Sequence, residues 1–285
     1  MLKDKIEELA VDEGLNTTEI EGLEVFKIST PISRINAVLP ASICIIAQGS
    51  KNLYLGDEKY TYDENSYLIG TVQVPVESEL LDSSSQNPCL GVIIKLDANI
   101  IGELLKFFDE LKEWQCAKRT EEIIAISPIN DRIENSLERL LDIANNPMDI
   151  QVLSQSFIRE VFYEILKTPQ GHILRNSVAH HSKVHEMVPT IKYLEQNFKN
   201  NLSIDEIAKF ASMSVATLHK NFKKATSLSP IQFIKQLRLH NAHALLLSGE
   251  NASSAAFESG YSNSAQFSRE FKRLFGYSPR DIKLG

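Results

Sequence analysis

Histidine is missing from the first 171 residues; all seven stand at His172, His180, His181, His185, His219, His240 and His243. That gap excludes a His-ligated catalytic metal from the N-terminal half and leaves only carboxylate or thiolate sets, which rarely serve that purpose. His181 and His185, one helical turn apart, have no evident third ligand and read as solvated. Cysteine is scarce. Cys44, Cys89 and Cys116 form an odd set that fits a reducing compartment without a disulfide framework. Cys44 and Cys89 lie inside apolar runs and read as buried small hydrophobes. No apolar run approaches the roughly 18 residues that span a bilayer. The start, Met1 to Glu8, mixes charges where a signal peptide would be apolar. Glycines are isolated, so no phosphate-cradling loop is present. The acidic residues form no recognisable acid–base pair. The expectation is a cytoplasmic protein that is not an enzyme and uses no cofactor and no metal.

What is present is unevenly spread. The 285 residues carry a formal net charge of −7, which alone argues weakly against a nucleic-acid partner. Residues 1–181 hold 16 Lys and Arg against 29 Asp and Glu, net −13; residues 182–285 hold 14 against 8, net +6. A basic module joined to an acidic one is a signature of nucleic-acid binding.

The periodicity divides the chain in the same way. Short apolar runs recur between about 24 and 96, among them Ile43–Ala47, Leu53–Leu55, Tyr60–Tyr62, Tyr67–Ile69 and Gly91–Ile94. Turn residues separate them, a spacing that predicts a sandwich or barrel. After Asp97 the pattern is helical, with apolar faces at Ile101/Leu104/Leu105/Phe108, at Ile133/Leu137/Leu140/Leu141/Ala144 and at Phe157/Val161/Phe162/Ile165. The weakly periodic stretch around Pro169 to Lys183 reads as a junction. From Glu186 onward the reading is helical throughout.

That last region repeats itself. The segment from Ala211, ASMSVATLHKNFKK, matches the segment from Gly260, GYSNSAQFSREFKR, at a constant offset of 49, and each continues to Ser-Pro at 229–230 and 278–279. Each copy reads as a helix-turn-helix. Ser203 caps a short helix from Ile204 to Phe210, Ala211 to Met213 turn, and Ser214 caps a second helix with Leu218 and Phe222 inward. In the second copy Ser253 opens the short helix, Gly260 turns, and Ser262 or Asn263 caps a helix with Phe267 and Phe271 inward. Such a motif lays its second helix in the DNA major groove. Ser214, Ala216, His219, Lys220 and Lys223 are therefore candidate DNA contacts, as are Ser264, Ala265, Ser268, Arg269 and Lys272. Arg269 suits a bidentate guanine contact, Lys220 a guanine or phosphate, and the two alanines a thymine methyl. Ser229 and Pro230 start a linker helix of about 18 residues, roughly 27 Å long, with an apolar stripe at Ile231, Ile234, Leu237, Leu245 and Leu246.

These residues carry a resemblance. The region from Val184 to Lys283, above all GYSNSAQFSREFKRLFGYSP at 260–279 and Arg238-Leu239, Ala242 and Leu245-Leu246, resembles the DNA-binding domain of AraC/XylS-type bacterial transcription regulators. Lys220 stands where many relatives have Arg, and Ser227 where a helix-ending Gly is common. Residues 25–115 resemble the cupin-like effector domain of one subgroup, through Cys44–Lys51, Leu55–Asp57, Tyr67-Leu68, Val74–Val76 and Asn87-Pro88. The resemblance implies an α+β chain. A cupin-like sensor and helical dimerisation region would span 1–170, with the barrel at about 24–96 and helices at about 99–167. A linker would span 171–183 and a double helix-turn-helix 184–285. It implies a transcriptional activator responding to a small molecule, with double-stranded DNA and RNA polymerase as partners, as a homodimer in the bacterial cytoplasm at the nucleoid. Arg34 is the one candidate for meeting an anionic effector, beside the plainer reading of an exposed loop residue. The alternatives are control by a protein partner, and a cupin enzyme tethered to DNA.

Overall fold

A computed structural model describes residues 1–110, 122–178 and 187–282. Cys116, His180, His181 and His185 lie outside these. The chain divides into two compact units, one rich in strands and one built mainly from helices, with which the strand segments Ile35–Val38 and Val74–Glu77 also group.

The strand-rich unit opens with helix α1 (Leu2–Leu9), followed by β1 (Gly14–Thr17), β2 (Leu23–Ile28), β3 (Ile32–Leu39), β4 (Ser42–Gln48), β5 (Ser50–Leu55), β6 (Glu58–Asp63), β7 (Ser66–Gly70), β8 (Val74–Leu80) and β9 (Cys89–Lys95). Then come α2 (Ala98–Glu110), β10 (Ile124–Pro128), α3 (Asp131–Asp142), α4 (Pro147–Leu166) and α5 (Gly171–Val178). Six strands form one sheet in the order β1-β2-β9-β4-β7-β10, and four form another in the order β3-β8-β5-β6.

The larger sheet is buried on both faces, and strand alternation sorts its residues between them. Ile43, Ile45, Tyr67, Ile69, Val92 and Ile94 share one apolar core with Leu2 and Ile6 of α1, Ile133 and Leu137 of α3, Val161 and Phe162 of α4, and Ile173 and Leu174 of α5. On the other face Cys44 meets the smaller sheet, where the Tyr62 hydroxyl approaches its Sγ at 3.5 Å. Cys44, Cys89 and Tyr62 are all buried, and burial pushes both thiols up, Cys89 to about 12. Phe26 stands opposite Gly91 in register.

Four features depart from the sequence reading. Strands begin at Gly14, ahead of the expected 24, because β1 needs only to pair with β2, Gly14 opposite Lys27. Helix α1 packs through buried Leu2 and Ile6 with half-buried Leu9 beside them, too short a pattern to reveal itself. Ile124–Pro128 is a strand within the expected helical stretch; it extends the sheet beside β7, with Ile126 opposite Leu68. A five-residue apolar run has no period long enough to separate strand from helix. Finally, the expected junction contains α5, held by buried Ile173 and Leu174 despite its Pro-Gln-Gly start.

The helical unit comprises α6 (Val188–Asn197), α7 (Ile204–Phe210), α8 (Val215–Thr226), α9 (Pro230–Leu247), α10 (Ala252–Glu258) and α11 (Ser264–Phe275). Helix α9 is the expected 18-residue linker. Ser229 and Gln232 form a capping box around Pro230. Its buried face is wider than the expected stripe and adds Phe233, Leu239 and Ala242, while Ile231 and Leu245 are half-buried. No helix among the described residues is long and apolar enough to cross a membrane.

Gly91 tests the sheet packing. A Cβ there would sit 2.6 Å from the Ile45 carbonyl oxygen and 2.3 Å from the Phe26 Cζ. Gly91→Ala is expected to lower full-chain stability by roughly 1–3 kcal/mol in chemical denaturation, the cost of overpacking; a loss under about 0.5 kcal/mol would contradict this packing.

Candidate nucleic-acid interface

In the first helix-turn-helix, Ser203 Oγ accepts from the Glu206 N–H at 3.3 Å, and Glu206 Oε2 accepts from the Ser203 N–H at 2.8 Å. The Ser203 N–H and the Ser203 hydroxyl, which also donates to Glu206 Oε2 at 2.8 Å, hold the Glu206 carboxyl below the usual carboxylate range. The turn closes with Met213 N–H donating to Ala208 O at 2.9 Å, which puts Ser212 at φ +53°. Ser214 Oγ then accepts from the Thr217 N–H at 3.2 Å and starts α8. Leu218 and Phe222 are fully buried, Phe222 edge-on to Phe233 of α9 at 5.3 Å. Ser227 ends α8 in the left-handed conformation at φ +60°, the place where the second unit has Gly276 at +84°. Glycine adopts that conformation at lower cost.

The second unit repeats this plan with two changes. Asn251, not Ser253, caps α10: its Oδ1 accepts from the Ser253 and Ser254 N–H groups at 3.1 and 3.0 Å. Asn263 caps α11 in the same way. The offset of 49 therefore holds for the second helices, 215–226 and 264–275, whereas the short helices, 204–210 and 252–258, are offset by 48. The extra residue sits in the turn. One residue, Met213, separates Ser212 from the cap Ser214, whereas two, Tyr261 and Ser262, separate Gly260 from Asn263. Beneath α11, Phe267 and Phe271 are buried with centroids 5.4 Å apart, and Tyr261 lies 5.3 Å from Phe267.

With these rings inward, the opposite faces point to solvent. Ser214, Ala216, His219, Lys220 and Lys223 on the first unit and Ser264, Ala265, Ser268, Arg269 and Lys272 on the second are all exposed. Helix α8 contains no acidic residue, and the single carboxylate of α11, Glu270, is turned onto α9. There Glu270 accepts from Lys235 Nζ at 2.9 Å, from the Tyr261 hydroxyl at 2.9 Å and from Gln266 Nε2 at 3.2 Å. Burial opposes its charge, but these three donors outweigh burial and hold the carboxyl below its usual range. Lys220, Lys223 and Arg269 make no ion pair with any described residue, so their charge is directed outward. Sequence reasoning passed over Glu270, Tyr261 and Lys235. The signal was a lone acid in a basic helix, four residues after Gln266.

Arg34 is placed differently. It lies in strand β3, not in a loop, and its guanidinium stacks 3.9 Å over the Tyr54 ring. Tyr54 alternates with buried Leu53 and Leu55, so this stack decorates the outer face of the smaller sheet. The cation beside the interior is Lys51, with Nζ 5.6 Å from the Phe26 ring.

Two helix-turn-helix units mounted on one linker helix, each showing a basic, carboxylate-free helix face, define a DNA-binding protein. A family model described as AraC-type transcriptional regulator N-terminus matches residues 19–173, more than half of the chain, and a helix-turn-helix domain model matches 207–284. The chain belongs to the AraC-type transcriptional regulators and is a DNA-binding regulator of transcription. It is 24% identical over 267 residues to the virulence regulon transcriptional activator VirF of Yersinia enterocolitica, covering 92% of this chain and 96% of that one. It is 38% identical over 96 residues to the activator RhaS of Escherichia coli, covering 33% and 34%. Its fold is similar to ToxT of Vibrio cholerae bound to an unsaturated fatty acid, with a TM-score of 0.59, 14% identity and coverage of 94% and 95%.

Two predictions arise from the helical unit. Asn251→Ala is expected to cost about 1 kcal/mol and Ser253→Ala almost nothing, measured by thermal unfolding, because only Asn251 caps. Glu195 on α6 has a buried Oε1 with no hydrogen-bond partner among the described residues, and burial pushes its carboxyl up to about 7 against the pull of Lys192. An acid raised on folding stabilises below its unfolded pKa, and that stability is lost as pH rises through the folded value. Glu195→Gln should therefore raise Tm at pH 8 by about 4 °C, from roughly 1 kcal/mol, and the gain should vanish near pH 4. A gain that grew on acidification would refute the assignment.

Proposed function

We propose that the chain activates transcription by reading two successive major-groove segments with α8 and α11, under control of a small molecule bound by the strand-rich unit. The observation that carries this reading is the pair of exposed, basic helix faces, each backed by a buried apolar pair on one shared scaffold. In this reading Arg269 takes a guanine edge and Lys220 a guanine or phosphate. Lys223, Lys272 and His219 meet the backbone, Ser214, Ser264 and Ser268 offer hydroxyls at the helix starts, and Ala216 and Ala265 leave room for thymine methyls. Activation requires RNA polymerase beside the bound chain; the names of VirF and RhaS, both activators, support this direction.

The effector reading draws on the cupin-like strand-rich unit and on the ToxT neighbour with its fatty acid. Lys51, beside Phe26 and the buried Cys44 and Cys89, is the cation an anionic effector would meet there; Arg34, on the outer face, is not. Effector binding shifts the population between DNA-competent and incompetent states. Homodimerisation through α3 and α4 fits the exposed Met148, Val152 and Tyr163 on α4, and the site of action is the bacterial cytoplasm, at the nucleoid.

Full-length protein is expected to bind promoter DNA with log affinity falling linearly in log salt. Lys223→Ala should reduce that slope by about 1, and Arg269→Ala should cost about 1–3 kcal/mol while relaxing preference at a single base pair. Absence of binding at low salt defeats the reading. A small-molecule extract that raises Tm supports the metabolite-controlled form. A stoichiometric protein that copurifies and replaces that response supports the partner-controlled form.

A further inference from the structure

Helix α9 grips the two reading heads by different means. The first head meets it through apolar contact, with the Phe222 ring edge-on to Phe233. The second adds a chain of polar contacts to its apolar ones. Arg238 Nε donates to Phe198 O at 2.6 Å and its Nη2 to Asn200 O at 2.8 Å, which ties α9 to the end of α6. The same guanidinium lies 5.9 Å from the centre of the Tyr261 ring. Tyr261 donates to one oxygen of Glu270, and Lys235, one turn before Arg238, donates to the other. Asn241 Nδ2 donates to Ser259 Oγ at 2.8 Å at the end of α10. Gly260 closes the arrangement: a Cβ there would lie 2.5 Å from Lys199 O, so the turn of the second head rests directly on the backbone following α6.

We propose that Glu270 is the positioning residue that sets the angle of α11 on the linker helix, and with it the spacing between the two DNA segments that the chain accepts. Its two oxygens are held by donors on different elements, the turn before α11 and the linker, so it fixes α11 at its middle. The helix has 12 residues and is about 18 Å long. A tilt of about 20° about that midpoint moves each end by about 3 Å, close to the roughly 3.4 Å rise of one base pair. Loosening this one anchor therefore makes neighbouring spacings nearly equivalent without touching the base-reading side chains, all of which face away from Glu270.

The inference rests on the DNA-reading role, and the experiment separates the two. Full-length protein, Glu270→Ala and Tyr261→Phe are each offered a DNA pool in which the two selected segments are separated by the preferred spacing or by one base pair more or fewer. The unaltered chain should favour one spacing by about tenfold, a misfit cost paid in DNA twist and bend. Glu270→Ala should flatten that preference to within about threefold while keeping base preference inside each segment, and Tyr261→Phe should fall between the two. A uniform loss of affinity with an unchanged spacing profile in Glu270→Ala overturns the proposal. If Glu270→Ala does not fold, an unchanged profile in Tyr261→Phe overturns it equally. Failure of the unaltered chain to bind any member of the pool defeats the DNA reading itself.

Discussion

The helical unit depends on one arrangement: an apolar pair, four residues apart, sealed beneath each basic helix. Burying a Phe or Leu side chain contributes about 1.5–3 kcal/mol, while an exposed charge contact contributes at most about 1. Packing therefore decides which way α8 and α11 face, and the charges follow from helical geometry. Once Leu218 and Phe222, or Phe267 and Phe271, are inside, residues such as Lys220 and Arg269 have only the outer side left. The caps Ser214 and Asn263 then fix where each helix starts, and so which side chains lie near its N-terminal end.

The strand-rich unit solves a different problem. Its larger sheet is covered on both faces, so its strands read as near-continuous apolar runs. One face packs against helices and the other meets the smaller sheet. Gly91 leaves the space that the Phe26 ring fills, since a Cβ there would lie 2.3 Å from the Phe26 Cζ. Buried thiols with raised pKa values are poor nucleophiles and poor metal ligands, consistent with an interior built for packing.

Legibility in the sequence followed the length of each pattern. The repeat, the linker helix and the inward aromatic pairs could be read because each spans several turns of regular spacing or occurs twice. Helix α1, strand β10 and helix α5 could not, since each is short and held mainly by contacts made elsewhere in the chain. The cap at Asn251 was missed because Ser253, a residue type equally suited to capping, stands two positions further on. Among the interface residues, the outward-facing set could be read from periodicity. The inward polar anchor of Glu270, Tyr261 and Lys235 left only the lone acid as a trace, because it joins residues 35 positions apart with no shared period.

The extra residue in the second turn makes the two heads unequal. A reader made of two identical heads in head-to-tail order would already have polarity; one whose heads also differ in turn length and in exposed side chains cannot be mistaken for its own reverse. Such a chain has a front and a back on the double helix. A promoter element read this way is an arrow, and inverting it relative to the gene changes what the transcription machinery meets.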